Sequence, residues 1–208
     1  MKDKIILASS SPRRIEIFKI IGIDFEIRKN NTDEIILKNP VETVIYNSSL
    51  KIKDVLKKCE TGIGFDTIVF IDNRILTKPK DEDEAKNFLN KLSGKEHIVY
   101  SGFTIIKNNE EFSDYDISYV KFFKIEEDEI LDYIKTGEPM DKAGAYAVQG
   151  LGMKFIERIR GSITNVIGVP LEKLIEGFKK FSIKYDEKKV EEYLWNLRQL
   201  IGKVIRLE

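Results

Sequence analysis

Residues 63 to 76 read IGFDTIVFIDNRIL and contain the most strongly apolar strand-like stretch of the chain. Because β-branched and aromatic residues favour extended backbone, this composition predicts a buried strand over residues 63 to 71. The pair Asp72-Asn73 is a turn signal, and a second short apolar segment that includes Ile75 follows it. The stretch therefore predicts a β-hairpin, and it makes a β-sheet the centre of the expected fold.

Strand and helix patterns alternate on both sides of this hairpin. Further strands are predicted at residues 4 to 8, 23 to 28, 97 to 106, 112 to 123 and 153 to 158. Helices are predicted at residues 12 to 21, 40 to 59, 81 to 92, 126 to 135 and 170 to 181, and Asn39-Pro40 marks the start of the second. Asn108-Asn109 is the turn signal that joins the strands at residues 97 to 106 and 112 to 123. Strands interspersed with helices in this order predict an α/β fold, with a mixed sheet flanked by helices.

The C-terminal segment looks separate, so the sequence predicts a main domain over residues 1 to 181 and a helical extension over residues 182 to 208. Apolar residues at helical spacing give the extension one apolar face, made of Val190, Tyr193, Leu194, Leu197 and Ile201. Two interpretations stay open: the helix packs on the main domain, or it mediates self-association. Comparing the oligomeric mass with and without residues 183 to 208 separates them. If the extension mediates self-association, its removal lowers the number of associated chains.

The charges of the chain balance, with 35 Lys and Arg residues against 35 Asp and Glu residues. Nucleic acid polymers require a basic surface, so this balance argues against them while leaving room for a small anion. A single cysteine, Cys59, excludes an internal disulfide and suits a reducing cytoplasm. The N-terminal stretch MKDKIILASS has too few apolar residues for a signal peptide, and no apolar run approaches a membrane span. The expected protein is soluble and cytoplasmic, without a membrane partner.

The segment ASSSPRR, residues 8 to 14, joins a predicted strand to a helix that starts at Pro12. Unpaired backbone N–H groups at a helix N-terminus attract anions. The positive charges of Arg13 and Arg14 interact unfavourably with the helix dipole there, at a cost of up to about 1 kcal/mol each. A negative group is therefore expected nearby. Two interpretations stay open: a phosphate site of serine hydroxyls, amides and arginines, or surface arginines paired with acids such as Glu16.

Asp66 lies inside the predicted apolar strand, within the motif GFDT of residues 64 to 67. A buried carboxylate is costly unless it is paired, protonated or bound to a metal, and acidic residues are rare in such stretches. The pattern favours a general base or a metal ligand over a structural aspartate that caps a turn. Thr67 follows on the opposite face of the strand.

Other features carry weaker signals when each is taken alone. Lys78 lies in the stiff loop TKPKD, where it either binds phosphate or is a solvated surface lysine. The glycine-rich stretch DKAGAYAVQGLG, residues 141 to 152, is either a structural loop or a binding loop whose Gln149 amide reads a base edge. His97 lacks the partner pattern of a catalytic triad and is expected to be packed or exposed, and Cys59 lacks metal-ligand spacing.

Taken together, the motifs occur in the order seen in the Maf family. In chain order they are ASSSPRR, TDE, GFDT, LTKPKD, LSGKEHIVYSG, TGEPMDKAGAYAVQGLG and RIRGSITNVIGVPL. Over residues 4 to 181 the chain therefore resembles the Maf-type nucleoside triphosphate pyrophosphatases. The resemblance implies a Maf/ITPase-like fold, in which a twisted mixed sheet forms two lobes around a cleft. It also implies cleavage of a nucleoside triphosphate between the α- and β-phosphates with a divalent metal, usually magnesium and alternatively manganese.

The resemblance further assigns roles to particular residues. The proton-accepting aspartate of the family falls on Asp66, and the acidic residue of its TDE motif falls on Glu34, which makes these two the candidate metal ligands. The substrate-binding residues fall on Ser9, Arg13, Arg14, Lys51, Lys78 and Lys142. The positions that separate the substrate branches of the family carry Arg13, Thr67 and Gln149, the combination of the branch that acts on dTTP and UTP.

Other functions stay open beside hydrolysis of pyrimidine triphosphates in nucleotide house-cleaning. The chain could be a pyrophosphatase of the 7-methyl-GTP type, or a nucleotide-binding regulator of cell division, because Maf proteins are also linked to inhibition of septum formation. Family analogy implies a homodimer. The sequence departs from the family pattern at Phe65, where a small residue is usual and crowding of the strand is expected. The segment NSSLKIKD, residues 47 to 54, is more polar than typical.

Overall fold

The computed structural model describes residues 4–208, so the first three residues of the MKDKIILASS stretch lie outside it. Within that range the strands are β1 (Ile5–Ala8), β2 (Phe25–Ile27), β3 (Thr61–Ile71), β4 (Arg74–Leu76), β5 (Glu96–Lys107), β6 (Glu110–Phe122), β7 (Ile156–Arg160) and β8 (Arg206–Leu207). The helices are α1 (Pro12–Ile20), α2 (Pro40–Val55), α3 (Glu82–Leu92), α4 (Glu127–Lys135), α5 (Ile163–Ile167), α6 (Leu171–Lys180) and α7 (Glu187–Ile201). Short 3-10 helices cover Glu138–Asp141, Ala143–Ala145 and Leu151–Phe155.

All the described strands belong to one sheet. They follow the order β2-β1-β3-β5-β6-β7-β8, and β4 pairs with β3 beside this path. β1 runs parallel to both β2 and β3, with Ala8 opposite Gly64. β6 is antiparallel to β7, whereas β7 and β8 are parallel. The predicted α/β fold with a mixed sheet and flanking helices is confirmed.

The hairpin of β3 and β4 forms where the sequence predicts it. Asp72 and Asn73 have positive φ angles of 48° and 58°, as a tight two-residue hairpin turn requires. Asn108 and Asn109, between β5 and β6, repeat this conformation with φ angles of 52° and 66°. Asp and Asn tolerate the left-handed region better than other non-glycine residues, which is why the sequence predicts both turns.

β7 begins at Ile156, later than predicted. The residues before it form the 3-10 helix Leu151–Phe155. The carboxylate of Glu138 accepts the N–H groups of Leu151 and Gly152 at 3.0 Å each, which holds this backbone in a turn. These bonds join residues that are distant in sequence, so no local pattern predicts them.

The C-terminal segment is more integrated than a simple helical extension. Val190, Leu197 and Ile201 of the predicted apolar face are buried within the chain, which is the packed-helix interpretation. After α7 the chain forms β8, a strand that the sequence does not predict, and it pairs with β7. The domain boundary at residue 181 stays a prediction.

Helix α2 packs closely on β3 because glycines face it. A Cβ atom at Gly64 would lie 2.1 Å from the carbonyl oxygen of Ser48, a backbone atom of α2. A Cβ atom at Gly62 would lie 2.4 Å from the side-chain tip of Ile52. Only glycine permits this approach, and it brings other α2 side chains next to β3.

By its internal contacts the chain divides into two compact units. The first contains the residues up to Asp66, Ser101–Asp116 and Gly168–Leu197, and the second contains Thr67–Tyr100, Ile117–Ile167 and Arg198–Glu208. β3, β5 and β6 therefore contribute residues to both units. Within the described range, no helix is both long enough and apolar enough to cross a membrane.

Phe65 fills the core of the first unit, and the prediction that its size would crowd the strand is wrong. It is fully buried, with its ring edge-on to Phe18 at a centroid distance of 5.8 Å and tilted against Phe103 at 6.4 Å. The guanidinium carbon of Arg14 lies 5.4 Å from the centroid of the Phe65 ring. Aromatic and cation–π contacts at these distances are favourable, so the large side chain stabilises the packing.

Candidate active site

Polar side chains line one face of α2 in the first unit. Thr43, Asn47 and Lys51 are spaced by four residues, which places them one above the other on a helix. All three are buried, with 0%, 2% and 8% of their surfaces exposed. Because buried polar groups are stable only when hydrogen-bonded, each needs a partner outside the helix. We call this row the α2 ladder.

Asp66 lies buried in the middle of β3, opposite the α2 ladder. Its Oδ1 accepts a hydrogen bond from Lys51 Nζ at 2.6 Å, and its Oδ2 accepts one from Asn47 Nδ2 at 3.1 Å. The ammonium group balances the carboxylate charge, and the two donors orient both oxygens. Asp66 therefore bonds to side chains of α2 and does not cap a turn, the structural alternative that the sequence leaves open.

Glu34 reaches the same ammonium group from the loop that precedes α2. Its Oε1 accepts a hydrogen bond from Lys51 Nζ at 2.8 Å. Lys51 thus links two carboxylates, Glu34 and Asp66, that are distant in sequence. The structure brings together the predicted base, the predicted second acidic residue and one of the predicted lysines.

Glu34 and Asp66 supply the oxygen donors that a divalent cation such as Mg²⁺ prefers. Both carboxylates contact one cationic atom, Nζ of Lys51, so the two groups lie near each other, and each carboxylate keeps further lone pairs beside this contact. Among the described residues, no cluster of three or more acidic, His or Cys side chains could hold a metal ion. Mg²⁺ is commonly held by one or two carboxylates together with water and phosphate oxygens. The pair therefore fits a magnesium site that water and a phosphate ligand would complete.

Ser9 lies at the junction between β1 and the N-terminus of α1. Its Oγ accepts the N–H of Ser11 at 3.2 Å and a hydrogen bond from Arg14 Nη1 at 3.4 Å. Ser11 is the N-cap residue of α1, but its own side chain makes no capping bond. The backbone N–H groups and the dipole of a helix favour an anion at this end.

Arg14 is held by backbone oxygen atoms within the first unit. Its Nε donates to the carbonyl oxygen of Gly168 at 3.0 Å, and its Nη1 donates to that of Phe65 at 3.5 Å. Burial lowers the pKa of Arg14 to about 10, although the carboxylates of Asp66 and Glu34 act to raise it. With a pKa near 10 the guanidinium stays charged at neutral pH, so Arg14 adds a positive charge close to both carboxylates.

The remaining candidate residues lie in the second unit. Lys78 is exposed in the loop after β4, and Gln149 is half-buried between two 3-10 helices. Lys142 Nζ donates to the carbonyl oxygen of Glu138 at 2.7 Å and forms an ion pair with Asp141. These residues retain polar groups that can bind a ligand, but their roles stay predictions.

Two sets of hydrogen bonds order the glycine-rich stretch of the second unit. The N–H of Gly144 donates to the carbonyl oxygen of Thr77 at 3.1 Å, which fastens the stretch to the loop that carries Lys78. The carboxylate of Glu138 also accepts the hydroxyl of Tyr133 at 2.8 Å, in addition to the two N–H groups after Gln149. Sequence reasoning missed Glu138. The available signal was an acidic residue directly after Gly137, just before the glycine-rich stretch.

The predicted residues thus divide between the units. The first unit holds Ser9, Arg13, Arg14, Glu34, Lys51 and Asp66, and the second holds Thr67, Lys78, Lys142 and Gln149. Thr43 and Asn47 of the α2 ladder were missed. Their spacing from Lys51 and the unusual polarity of residues 47 to 54 were the signals that could have found them.

His97 and Cys59 lie apart from this chemistry, as the sequence predicts. His97 is packed in the second unit, with Nε2 2.8 Å from the Tyr146 hydroxyl and its ring edge-on to Phe122 at 4.9 Å. Burial lowers the pKa of His97 to about 3, so the imidazole is neutral at physiological pH. Cys59 is exposed beyond the end of α2.

Comparison with known proteins agrees with the motif order. The family model described as Maf-like protein matches residues 4–181, so the chain belongs to the Maf-like family. A protein of Lachnoclostridium phytofermentans named dTTP/UTP pyrophosphatase is 45% identical over 189 residues, which cover 86% of this chain and 96% of the relative. A protein of Aquifex aeolicus with the same name is 42% identical, covering 86% of this chain and 96% of the relative. The structure of the Staphylococcus aureus Ham1 protein aligns with a TM-score of 0.45 at 14% identity, covering 94% of this chain and 98% of that one.

Proposed function

We propose that this chain hydrolyses dTTP and UTP to the nucleoside monophosphate and pyrophosphate, a house-cleaning reaction of nucleotide metabolism. The observation that carries the proposal is the arrangement of the buried residues Asp66 and Lys51 with Glu34 from the loop, which combines a carboxylate base, a cation and a second carboxylate. Membership in the Maf-like family and relatives named dTTP/UTP pyrophosphatase at 42% to 45% identity support it.

In the proposed mechanism, Asp66 accepts the proton of the water that attacks the α-phosphate. Lys51 and Asn47 hold its two oxygens, so the base is oriented before substrate binds and little reorganisation is needed. Glu34 and Asp66 would hold magnesium, or manganese in its place, with Asp66 acting through a bound water because the same carboxylate accepts the proton. The bound ion would neutralise triphosphate charge.

Positive groups stabilise the charge that develops on the departing pyrophosphate. Ser9, Arg13 and Arg14 lie at the N-terminal end of α1, where backbone N–H groups also attract phosphate. The resemblance to the Maf family assigns the same role to Lys78 and Lys142. Donors that act on charge formed in the transition state raise kcat, because they bind the ground state less strongly.

Gln149 is the proposed reader of the base, together with Thr67 and Arg13. Its side-chain amide offers both a donor and an acceptor. Uracil and thymine present an N3–H donor beside the O4 acceptor, so one glutamine amide can pair with both atoms. Guanine presents an N1–H donor beside its O6 acceptor in the same way, so the choice of pyrimidine triphosphates rests on the relatives named dTTP/UTP pyrophosphatase.

Pyrophosphate release from a panel of nucleoside triphosphates with magnesium tests the proposal. We expect turnover of dTTP and UTP and much slower turnover of purine triphosphates. Turnover confined to 7-methyl-GTP would replace the pyrimidine assignment with the second substrate class. If no triphosphate of the panel yields pyrophosphate, the assignment as an enzyme is overturned, and a nucleotide-binding regulator of septum formation is favoured.

The substitution Asp66→Asn removes the proposed base, and we expect kcat to fall by at least about 100-fold. The new amide also presents an NH₂ group to Nδ2 of Asn47, so a loss of about 1–3 kcal/mol in the free energy of unfolding is expected. Initial rates with dTTP and thermal unfolding of the variant measure the two effects. A folded variant with near-normal turnover would contradict the role of Asp66.

The proposal also places the protein in the cytoplasm, as a homodimer. Light scattering measures the oligomeric state directly. A solution mass equal to that of one chain, 24.1 kDa, would exclude the dimer without affecting the proposed reaction.

A further inference from the structure

The loop of residues 28 to 39 carries Glu34 but is weakly held by packing. It has no regular secondary structure. Ile35 and Ile36 expose 42% and 58% of their surfaces, so burial of these side chains does not anchor the loop. Before Glu34, Asn30 Nδ2 donates to the carbonyl oxygen of Ala8 at 3.3 Å, and Asp54 accepts the N–H of Asn31 at 3.0 Å. From Glu34 onward, the loop is held by hydrogen bonds to the α2 ladder.

Asn47 makes the hydrogen bonds that join this loop to Asp66. Its Oδ1 accepts the N–H of Ile35 at 2.9 Å, and its Nδ2 donates to the carbonyl oxygen of Ile35 at 3.1 Å. The side-chain amide thus pairs with the Ile35 backbone as a neighbouring strand would. The second hydrogen of Nδ2 is directed to Oδ2 of Asp66 at 3.1 Å. One buried side chain contacts both the loop and the carboxylate.

Thr43, one turn earlier on α2, holds the same loop without contacting Asp66. Its Oγ1 accepts the N–H of Leu37 at 3.0 Å and donates to the carbonyl oxygen of Asn39 at 3.0 Å. Thr43 therefore shares the fastening role of Asn47 but lacks the bond to the carboxylate. It provides a matched control for separating the two roles.

We propose that Asn47 is a positioning residue, which ties the Glu34 loop to the carboxylate of Asp66 and so keeps the two carboxylates at one spacing. A buried amide is costly unless its hydrogen bonds are made, and an apolar residue would serve packing alone better at this position. The amide is suited to orientation because its donors and acceptor are rigidly related. The kinetic consequence rests on the proposed function, whereas the coupling between loop and carboxylate does not.

Steady-state kinetics with dTTP and magnesium test the kinetic consequence. We expect Asn47→Ala to lower kcat about 10–100-fold, with KM changed by less than about threefold, because misplaced carboxylates affect the transition state more than substrate binding. Thr43→Val should keep kcat within about threefold of the wild type. Equal losses of kcat in both variants would show that Asn47 only holds the loop in place, as Thr43 does, and would overturn the proposal.

The substitution Asn47→Asp provides a second variant in case the alanine variant does not fold. It preserves the shape of the side chain and the acceptor for the N–H of Ile35. It replaces the donor by an oxygen that faces Oδ2 of Asp66, so we expect kcat to fall at least as far as in Asn47→Ala. Wild-type kcat in this variant would overturn the proposal.

Amide hydrogen exchange tests the coupling without catalysis. We expect Asn47→Ala to speed exchange of the Ile35 amide about tenfold, and Asp66→Ala to speed it in the same direction because Asn47 loses a partner. Thr43→Val should instead speed hydrogen exchange of the Leu37 amide, which Thr43 accepts. Unchanged exchange at Ile35 in Asp66→Ala would overturn the proposal. A wild-type protein that hydrolyses no triphosphate would remove the proposed function, but exchange at Ile35 would still decide the coupling.

Discussion

Lys51 carries a positive charge into the interior of the first unit, where two carboxylates balance it. Its ammonium group is the main partner of Asp66, which also accepts a hydrogen bond from Asn47. An ionised carboxylate that is buried without a counter-charge is costly, so the same lysine supports both the stability of the unit and the orientation of the proposed base.

The substitution Lys51→Met keeps a long side chain but removes its charge, and we expect the free energy of unfolding to fall by about 3–5 kcal/mol. Lys53→Met is the matched control. Lys53 forms an ion pair with Glu111 at 2.7 Å, but 55% of its side chain is exposed against 10% for Lys51. The control should therefore lose at most about 1 kcal/mol. Urea unfolding at pH 7 measures both, and equal losses would contradict the importance of burial.

At the scale of elements, the approach of α2 to β3 decides which side chains meet. Asn39 accepts the N–H of Val41 at 2.9 Å and so caps the start of α2, as the Asn-Pro signal predicts. Gly64 then lets the backbone of α2 lie against β3 at Ser48. With this spacing, Asn47 and Lys51 of the α2 ladder reach Asp66 from successive turns.

The substitution Gly64→Ala tests this packing, since the new Cβ would collide with the Ser48 carbonyl oxygen and force α2 away from β3. We expect the free energy of unfolding to fall by about 3 kcal/mol or more, with a loss of activity because the ladder moves as well. Gly62→Ala is the control, because its Cβ would meet the side-chain tips of Ile52 and Leu56, which can rotate, and not backbone. It should lose about 1 kcal/mol. Denaturant unfolding of the two variants gives the comparison, and a similar small loss in both would contradict the tight approach at Gly64.

For the molecule as a whole, His97 couples stability to pH. It is the single histidine of the chain, and it packs beside Tyr146, whose own pKa is raised by burial. Burial lowers the pKa of His97 to about 3 in the folded state. The unfolded chain binds a proton at the ordinary pKa of histidine, about 6.5, so acid favours unfolding.

Stability should therefore be insensitive to His97 above pH 6.5 and fall as the pH decreases from 6.5 towards 3. The expected slope of the unfolding free energy between pH 6.5 and 5 is about 1 kcal/mol per pH unit. His97→Gln removes the titrating group, so this slope should disappear in the variant. Denaturant unfolding at several pH values measures it, and an unchanged slope in the variant would assign the effect to other groups.

The sequence predicts those features that depend on neighbours in the chain. Asp72-Asn73 and Asn108-Asn109 form the predicted turns because their own backbone preferences suffice. The sequence predicts a strand over residues 153 to 158, but the 3-10 helix Leu151–Phe155 precedes β7, because the carboxylate of Glu138 holds the backbone there. A local pattern cannot show an interaction whose partner lies in another element.

The sequence by itself determined the mixed α/β sheet, its hairpin turns and the motif residues that place the chain in the Maf-like family. Only the tertiary structure decided that Asn47 joins the Glu34 loop to Asp66 and that Lys51 lies between the two carboxylates. The physical reason is one of range. Turns and caps follow from backbone preferences over a few residues, whereas these hydrogen bonds exist only because Gly64 lets α2 approach β3 closely enough for side chains distant in sequence to meet.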